Sequence, residues 1–154
     1  DVYKRQIVPG VAAQHTGAFA DELGRALAER AVQLACLAEP AATDAATEGG
    51  ERIIGFSALS VFYDRAGYDG VTDLAYYIAP EWQGRGAGTF TLAKLLDECR
   101  NRHMRKACGI IFADNRGSIA LMKHFGFTQF GLMPQAATDS TGTMRDMSYW
   151  HLDL

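Results

Sequence analysis

Cysteine is scarce: Cys36, Cys99 and Cys108 in 154 residues are too scattered for a disulfide framework or a zinc-ligand spacing. They read as small buried hydrophobes of a reducing compartment. His15, His103, His124 and His151 do not gather around them, so no metal site is expected. No apolar run approaches the length of a membrane span, and no signal-peptide core is visible. The cytoplasm is therefore the expected location, with no membrane partner. Basic residues are not in excess either. Fifteen Lys and Arg against 18 Asp and Glu leave a formal charge of −3, which argues against a nucleic-acid partner. There are no internal repeats and no low-complexity tracts. An initiating methionine is also missing. The chain opens on DVYKRQ, which resembles translated sequencing-adapter read-through, so residues 1–6 are set aside from fold reasoning as a non-native leader.

What remains has the apolar content, 48%, of an ordinary globule and the length of a single domain, 1–154. Phe19, Leu23, Ala26, Leu27 and Ala31 recur at helical spacing behind Thr16, a candidate cap. Val32–Ala38 reads as a strand, 39–50 as a loop, and 51–63 as a second strand, bulged near Gly55. After a turn over 64–70 comes a central strand, Val71–Ile78. The spacing predicts a long amphipathic helix over Thr89–His103. Leu92, Leu95, Leu96, Cys99 and His103 share one face, and Lys94, Asp97, Glu98, Asn101 and Arg102 the other. A strand over Ala107–Ala113 leads into a short helix over Arg116–His124, stopped by Gly126. Phe127–Met133 and Met144–Leu152 form a closing hairpin across the polar loop Pro134–Thr143. Antiparallel strands followed by a helix and a parallel return predict a mixed α/β sheet.

Between the central strand and the long helix lies Gln83-Gly84-Arg85-Gly86-Ala87-Gly88. Glycines let a backbone approach a ligand closely, the first-turn N–H groups of a helix are unpaired, and the helix dipole favours negative charge there. A phosphate or pyrophosphate is the expected guest, although a tight turn alone would also use one or two of these glycines. A P-loop would need Gly-Lys-Ser/Thr at its end, and here Ala87-Gly88-Thr89 has no lysine. A dinucleotide fingerprint would need a third glycine where Thr89 stands, and the next acidic strand end, Asp114, comes too late.

Gln-x-x-Gly-x-Gly over Gln83–Gly88, behind Tyr-Tyr-Ile-Ala-Pro-Glu-Trp, resembles the acetyl-CoA loop of the GNAT family of N-acetyltransferases. Asn115, Ser118, Ala120-Leu121 and Phe125-Gly126-Phe127 resemble that family's second signature. Tyr68-Asp69 and the closing Asp146 to Trp150 resemble its phosphinothricin and methionine-sulfoximine acetyltransferase branch. The resemblance covers roughly Ile53 to Leu154. It implies a GNAT fold: a mixed sheet of about six strands with a splayed central pair, flanked by helices. It also implies another strand and helix ahead of Thr16, for which too few residues remain, so a truncated N-terminus is expected.

The same resemblance implies acetyl-CoA as co-substrate, its pantetheine arm lying between the splayed strands. Ile78 would offer backbone to that arm and Asn115 would contact it from the other side. Gln83, Gly84, Arg85, Gly86, Ala87, Gly88 and Thr89 would wrap the pyrophosphate. Arg85 also reads as a solvated loop cation, and Thr89 as a helix cap. Acyl transfer to an amine needs a base, because an ammonium carries no lone pair. Asp73 stands where the branch has glutamate, and its shorter side chain suggests contact through a water. The bland alternative is a strand-entry aspartate in a polar turn. Met122 occupies the position of the family's tyrosine acid, so no general acid is assigned; Tyr149, a water, or unassisted departure of the thiolate are the alternatives. Tyr68 and Tyr149 are the acceptor-site candidates, among aromatics (Phe62, Tyr63, Tyr76, Trp150) of a kind that is more often core than recognition surface, although Tyr68 matches a position of the resembled branch. Arg65 and Arg145 would suit an acceptor with an anionic group. The expected substrate is a small primary amine, an amino acid or an analogue such as phosphinothricin or methionine sulfoximine. A peptide or protein amine, or a non-catalytic acyl-CoA-binding module, are the alternatives, and a homodimer is the assembly to test.

Overall fold

The computed structural model of the chain describes Lys4–Gln6, Ala31–Pro40 and residues 51–154, with side chains from Ile54 onward. The helix expected behind Thr16 and the loop over 41–50 lie outside the described residues. Seven strands are present among the described residues, where about six were expected, because Lys4–Gln6 is itself a short strand. They are β1 (Lys4–Gln6), β2 (Ala31–Pro40), β3 (Glu51–Val61), β4 (Val71–Ile78), β5 (Lys106–Phe112), β6 (Thr128–Thr138) and β7 (Met144–Asp153). Two α-helices are described, α1 (Ala87–Asn101) and α2 (Arg116–His124). Two compact units result: residues up to Val61 with Ala75–Leu95, and Phe62–Leu74 with Leu96–Leu154.

In the first unit β1 pairs antiparallel with β2, and β2 with β3. Leu37 faces Gly55 while Ala38 faces Ile53, so Ile54 is the extra residue of a bulge beside Gly55, where the sequence predicts one. A side chain at Gly55 would bring its Cβ to 2.6 Å from the Tyr77 carbonyl oxygen. Glycine is thus required there for space: it lets the end of β4 lie close against β3. The Ala79 N–H donates to the Ile54 carbonyl at 2.8 Å, and Phe56 stacks on Tyr77. Ile54, Ile78 and Ala87 are buried together, with Trp82 and Phe90 packed against them. This small core fixes the end of β4 and the start of α1, the two ends of the glycine loop.

In the second unit the first residues of β4 pair in parallel with β5. The ladder holds three pairs, Val71↔Lys106, Thr72↔Ala107 and Asp73↔Cys108. β5 continues antiparallel to β7, and β7 to β6. Leu74, Ala107, Met122 and Trp150 are buried, and the Met122 methyl stands where a Cβ at Gly109 would lie only 3.0 Å away. The buried Ser148 is fully used: its hydroxyl donates to the Ile111 carbonyl and accepts from the Trp150 indole N–H.

Two expectations need correction. The long helix ends at Asn101, so His103 does not share the buried face. It is exposed and adopts φ 55. The Met104 N–H donates to the Cys99 carbonyl and the His103 N–H to the Arg100 carbonyl, the bond pair of a Schellman stop with His103 in the left-handed position. Gly126 fills the equivalent place after α2. A non-glycine residue in that conformation carries about 1 kcal/mol of strain. His103→Gly is therefore expected to raise unfolding stability by about 0.5–1 kcal/mol, read from urea midpoints at constant m-value. The second correction concerns the closing hairpin. β6 runs through Pro134 to Thr138, which leaves only 139–143 as the loop. Pro134 has no N–H to offer a ladder, and β6 absorbs it in a bulge between Met133 and Ala137. Gln135, at φ 49, donates its N–H from that bulge to the Asp146 carboxylate at 2.8 Å.

Candidate active site

The glycine loop lies in the first unit. The first intrahelical bond of α1 runs from the Phe90 N–H to the Gly86 carbonyl at 3.0 Å. The N–H groups of Ala87, Gly88 and Thr89 therefore stand ahead of the helical ladder. Gly84 and Gly86 hold φ 72 and φ 85, values an L side chain rarely adopts, and neither has anything within 4 Å of the place a Cβ would occupy. Backbone conformation alone demands glycine at these two positions. Gln83, Arg85 and Thr89 are exposed and Ala87 is buried. Three N–H groups ahead of the ladder, at the positive end of a 15-residue helix, suit a diphosphate.

Sequence reasoning gave Gln83 only a main-chain role. Its side-chain amide donates to the Ile78 carbonyl at 3.0 Å and so ties the loop to the last residue of β4. The Arg85 guanidinium lies over the Trp82 ring, 5.0 Å from its centroid, which holds this cation on the loop itself.

Asp73, Tyr68, Asn115 and Tyr149 lie in the second unit. Asp73 is an interior residue of β4 and half-buried, not a residue of a polar turn. Its ladder partner is Cys108, whose own partner on β7 is His151. Paired residues on adjacent strands project to one face of a sheet, so the carboxylate and the thiol are neighbours. Burial pushes the Cys108 thiol up, and the charge of Asp73 pushes it further. It therefore remains a neutral S–H at physiological pH. Lys106, on the same face, bonds His151 Nδ1 at 3.2 Å and forms an ion pair with Asp153.

Tyr68 ends a short 3₁₀ turn, Ala66–Tyr68. Its ring packs edge-on against Tyr63 at 5.2 Å and tilted against Phe62 at 5.8 Å, and the Arg65 guanidinium lies over Tyr63. Tyr149 packs against Phe130, and its hydroxyl approaches the Met133 sulfur at 3.7 Å. Asn115 caps α2: its side-chain oxygen accepts the Ser118 N–H at 3.0 Å, which leaves the carboxamide N–H₂ as donor. Met122, at the position of the missing acid, is fully buried and serves as packing. Arg145, expected as a partner for an anionic acceptor, is committed elsewhere. Its Nε donates to Asp139 at 2.8 Å and its Nη1 to Asp114 at 2.7 Å. Asp139 also accepts from the Thr141 hydroxyl and from the Thr141 and Thr143 N–H groups, and its carboxyl is held well below the usual range. Among the described residues no three His, Cys, Asp or Glu side chains are grouped as a metal would need. No described helix is long and apolar enough to cross a membrane.

Comparison with known proteins gives the geometry a context. The family model described as "Acetyltransferase (GNAT) family" matches residues 11–127. An L-methionine sulfoximine/L-methionine sulfone acetyltransferase of Pseudomonas paraeruginosa is 26% identical over 113 residues, 73% of this chain and 63% of that protein. A phosphinothricin N-acetyltransferase of Streptomyces coelicolor is 30% identical over 90 residues, 58% of this chain and 51% of that protein. The chain thus spans about half to just under two-thirds of the length of these curated relatives. Among solved structures, a GNAT-superfamily phosphinothricin acetyltransferase from Sinorhizobium meliloti, in complex with AcCoA, superposes with a TM-score of 0.73. It is 18% identical and the match covers 100% of this chain and 89% of that one. The α/β fold expected from the sequence is the fold of these proteins.

Proposed function

The chain belongs to the GNAT acetyltransferase family, and on that premise we propose that it moves an acetyl group from acetyl-CoA to the primary amine of a small molecule. The acceptor is an amino acid or an analogue of one, such as phosphinothricin or methionine sulfoximine. The observation that carries this reading is the turn into α1, where positive-φ Gly84 and Gly86 precede three N–H groups lying ahead of the helical ladder. Gln83 to Thr89 hold the diphosphate through main-chain N–H groups, with Arg85 as the nearby cation. Ile78 meets the pantetheine arm through its backbone, and Asn115 donates to it from the carboxamide N–H₂. When bound, acetyl-CoA supplies the acetyl group as an activated thioester.

Asp73 takes a proton from the acceptor's ammonium group, which exposes the nitrogen lone pair for attack on the thioester carbonyl. Cys108, neutral beside it, offers no competing base. Tyr68 and Tyr149 contact the acceptor. With Arg145 held by two carboxylates, Arg65 is the cation assigned to an anionic group on the acceptor. No side chain is assigned to protonate the departing thiolate, since Met122 is buried packing.

A titration with acetyl-CoA, followed by a thiol-release assay over phosphinothricin, methionine sulfoximine, methionine sulfone and the common amino acids, tests the proposal. Binding together with amine-dependent release of coenzyme A is expected. Binding without release for any amine would favour a non-catalytic module. Failure to bind at millimolar acetyl-CoA would overturn the reading altogether.

A further inference from the structure

Four hydrogen bonds from two consecutive residues converge on the turn that carries Tyr68. The Arg105 guanidinium spans it as a fork, its Nε donating to the Asp69 carbonyl at 3.1 Å and its Nη2 to the Gly67 carbonyl at 3.2 Å. The main-chain N–H groups of Arg105 and Lys106 both donate to the Gly70 carbonyl, at 2.8 and 3.2 Å. The Arg105 carbonyl in turn accepts the N–H of Leu154, just past the end of β7. The turn's own bonds, Tyr68 N–H to the Arg65 carbonyl and Asp69 N–H to the Ala66 carbonyl, close only one short helical loop. Ala66–Tyr68 includes no buried residue. With no buried residue of its own to anchor it, the turn is tied to the rest of the unit by the fork from Arg105.

An exposed arginine is ordinarily of little consequence. Here two N–H groups in fixed planar geometry meet two carbonyls of one turn, one on each side of Tyr68 in the chain. A lysine ammonium, a single point donor on a flexible stem, could not span both with the same geometry. The residues that flank Tyr68 are thus held from outside the turn, and its ring is set against Tyr63 and Phe62. We propose that Arg105 is a positioning residue for acceptor binding, acting through Tyr68. The proposal rests on the reading of Tyr68 as an acceptor contact. Arg105 contacts neither the acceptor nor acetyl-CoA; it selects the conformation in which Tyr68 is presented.

Steady-state kinetics on Arg105→Ala, Arg105→Lys, Tyr68→Ala and the Arg105→Ala/Tyr68→Ala double variant test it. Arg105→Ala is expected to raise the acceptor KM about tenfold, as loss of a charge-assisted fork would. The KM for acetyl-CoA and kcat should stay within about twofold, and Arg105→Lys should fall between Ala and wild type. In the Tyr68→Ala background, Arg105→Ala should add less than about twofold, because both changes act on one contact. An unchanged acceptor KM in Arg105→Ala, with a raised one in Tyr68→Ala, overturns the proposal and leaves the reading of Tyr68 standing. Tyr68→Ala without effect overturns the reading of Tyr68 and the proposal with it. A parallel rise in both KM values with a lowered melting temperature also overturns the proposal, since it marks a general loss of stability.

Discussion

Asp73→Asn is expected to lower kcat by about 10²–10³-fold at neutral pH and to leave acetyl-CoA affinity within about twofold, the pattern of removing the proposed general base while sparing the cofactor site. Asparagine is nearly isosteric with aspartate, so the strand and its pairing with Cys108 persist. The pH dependence separates this role from a structural one. Without the carboxylate, only acceptor that is already deprotonated in solution can attack. The deficit of Asp73→Asn should therefore shrink steadily as pH rises towards the amine's own pKa. A variant damaged in its structure would stay depressed at every pH. Asp73→Glu, which restores the residue of the resembled branch, should keep most of the activity. A second readout comes from Cys108, whose thiol is raised by burial first and by Asp73 second. In Asp73→Asn that second contribution vanishes, so the thiol should titrate at lower pH. Wild-type turnover in Asp73→Asn with a well-used acceptor would exclude Asp73 as the base.

Much of this arrangement was legible in the sequence, for reasons that differ between elements. β4 and α2 match their expected bounds, Val71–Ile78 and Arg116–His124. Each is marked by a change of hydrophobic period and by local signals: a turn before β4 and Gly126 as stop for α2. The glycine loop was legible as far as Gly86, because glycine at alternate positions is itself a backbone instruction, but α1 begins at Ala87, two residues before the expected Thr89, and Gly88 belongs to the helix. The end of α1 was not legible. The stop is made by His103 in a conformation that normally announces itself with glycine, and Cys99-to-His103 spacing continues the helical stripe without a visible break. The extension of β6 was masked in the same way by Pro134, which reads as loop until Asp146 is seen to hold the bulge. Least legible were partners distant along the chain. Cys108 becomes a neighbour of Asp73 only through the register of a parallel ladder. Arg145 reads as a spare cation until Asp114, 31 positions away, is found bonded to it. Periodicity carries the elements, whereas these pairings are fixed only when the elements dock.

Gly86→Ala should raise the KM for acetyl-CoA by about 10–100-fold, equivalent to losing one or two charge-assisted hydrogen bonds, while the acceptor KM changes little. Gly86 holds φ 85, and a Cβ there would meet nothing within 4 Å. No clash opposes alanine; the cost is conformational, about 1–2 kcal/mol in the left-handed region. The chain can escape it by rotating Gly86 to negative φ. That rotation moves the Gly86 carbonyl, which accepts the first bond of α1 from Phe90, and re-aims the N–H groups of Ala87, Gly88 and Thr89. The strain would thus be relieved at the expense of the donors proposed to meet the diphosphate. Gly55 provides the contrast, since it is glycine for want of space beside the Tyr77 carbonyl and bears on folding. Calorimetric titration with acetyl-CoA, together with desulfo or dephospho analogues, reads the effect directly. Coenzyme A and its 3′-dephospho form should weaken in parallel, because the contacts at stake are to the shared diphosphate. Pantetheine, which lacks it, should bind wild type and Gly86→Ala alike. Equal acetyl-CoA affinity in the two proteins would mean that the turn into α1 does not hold the diphosphate.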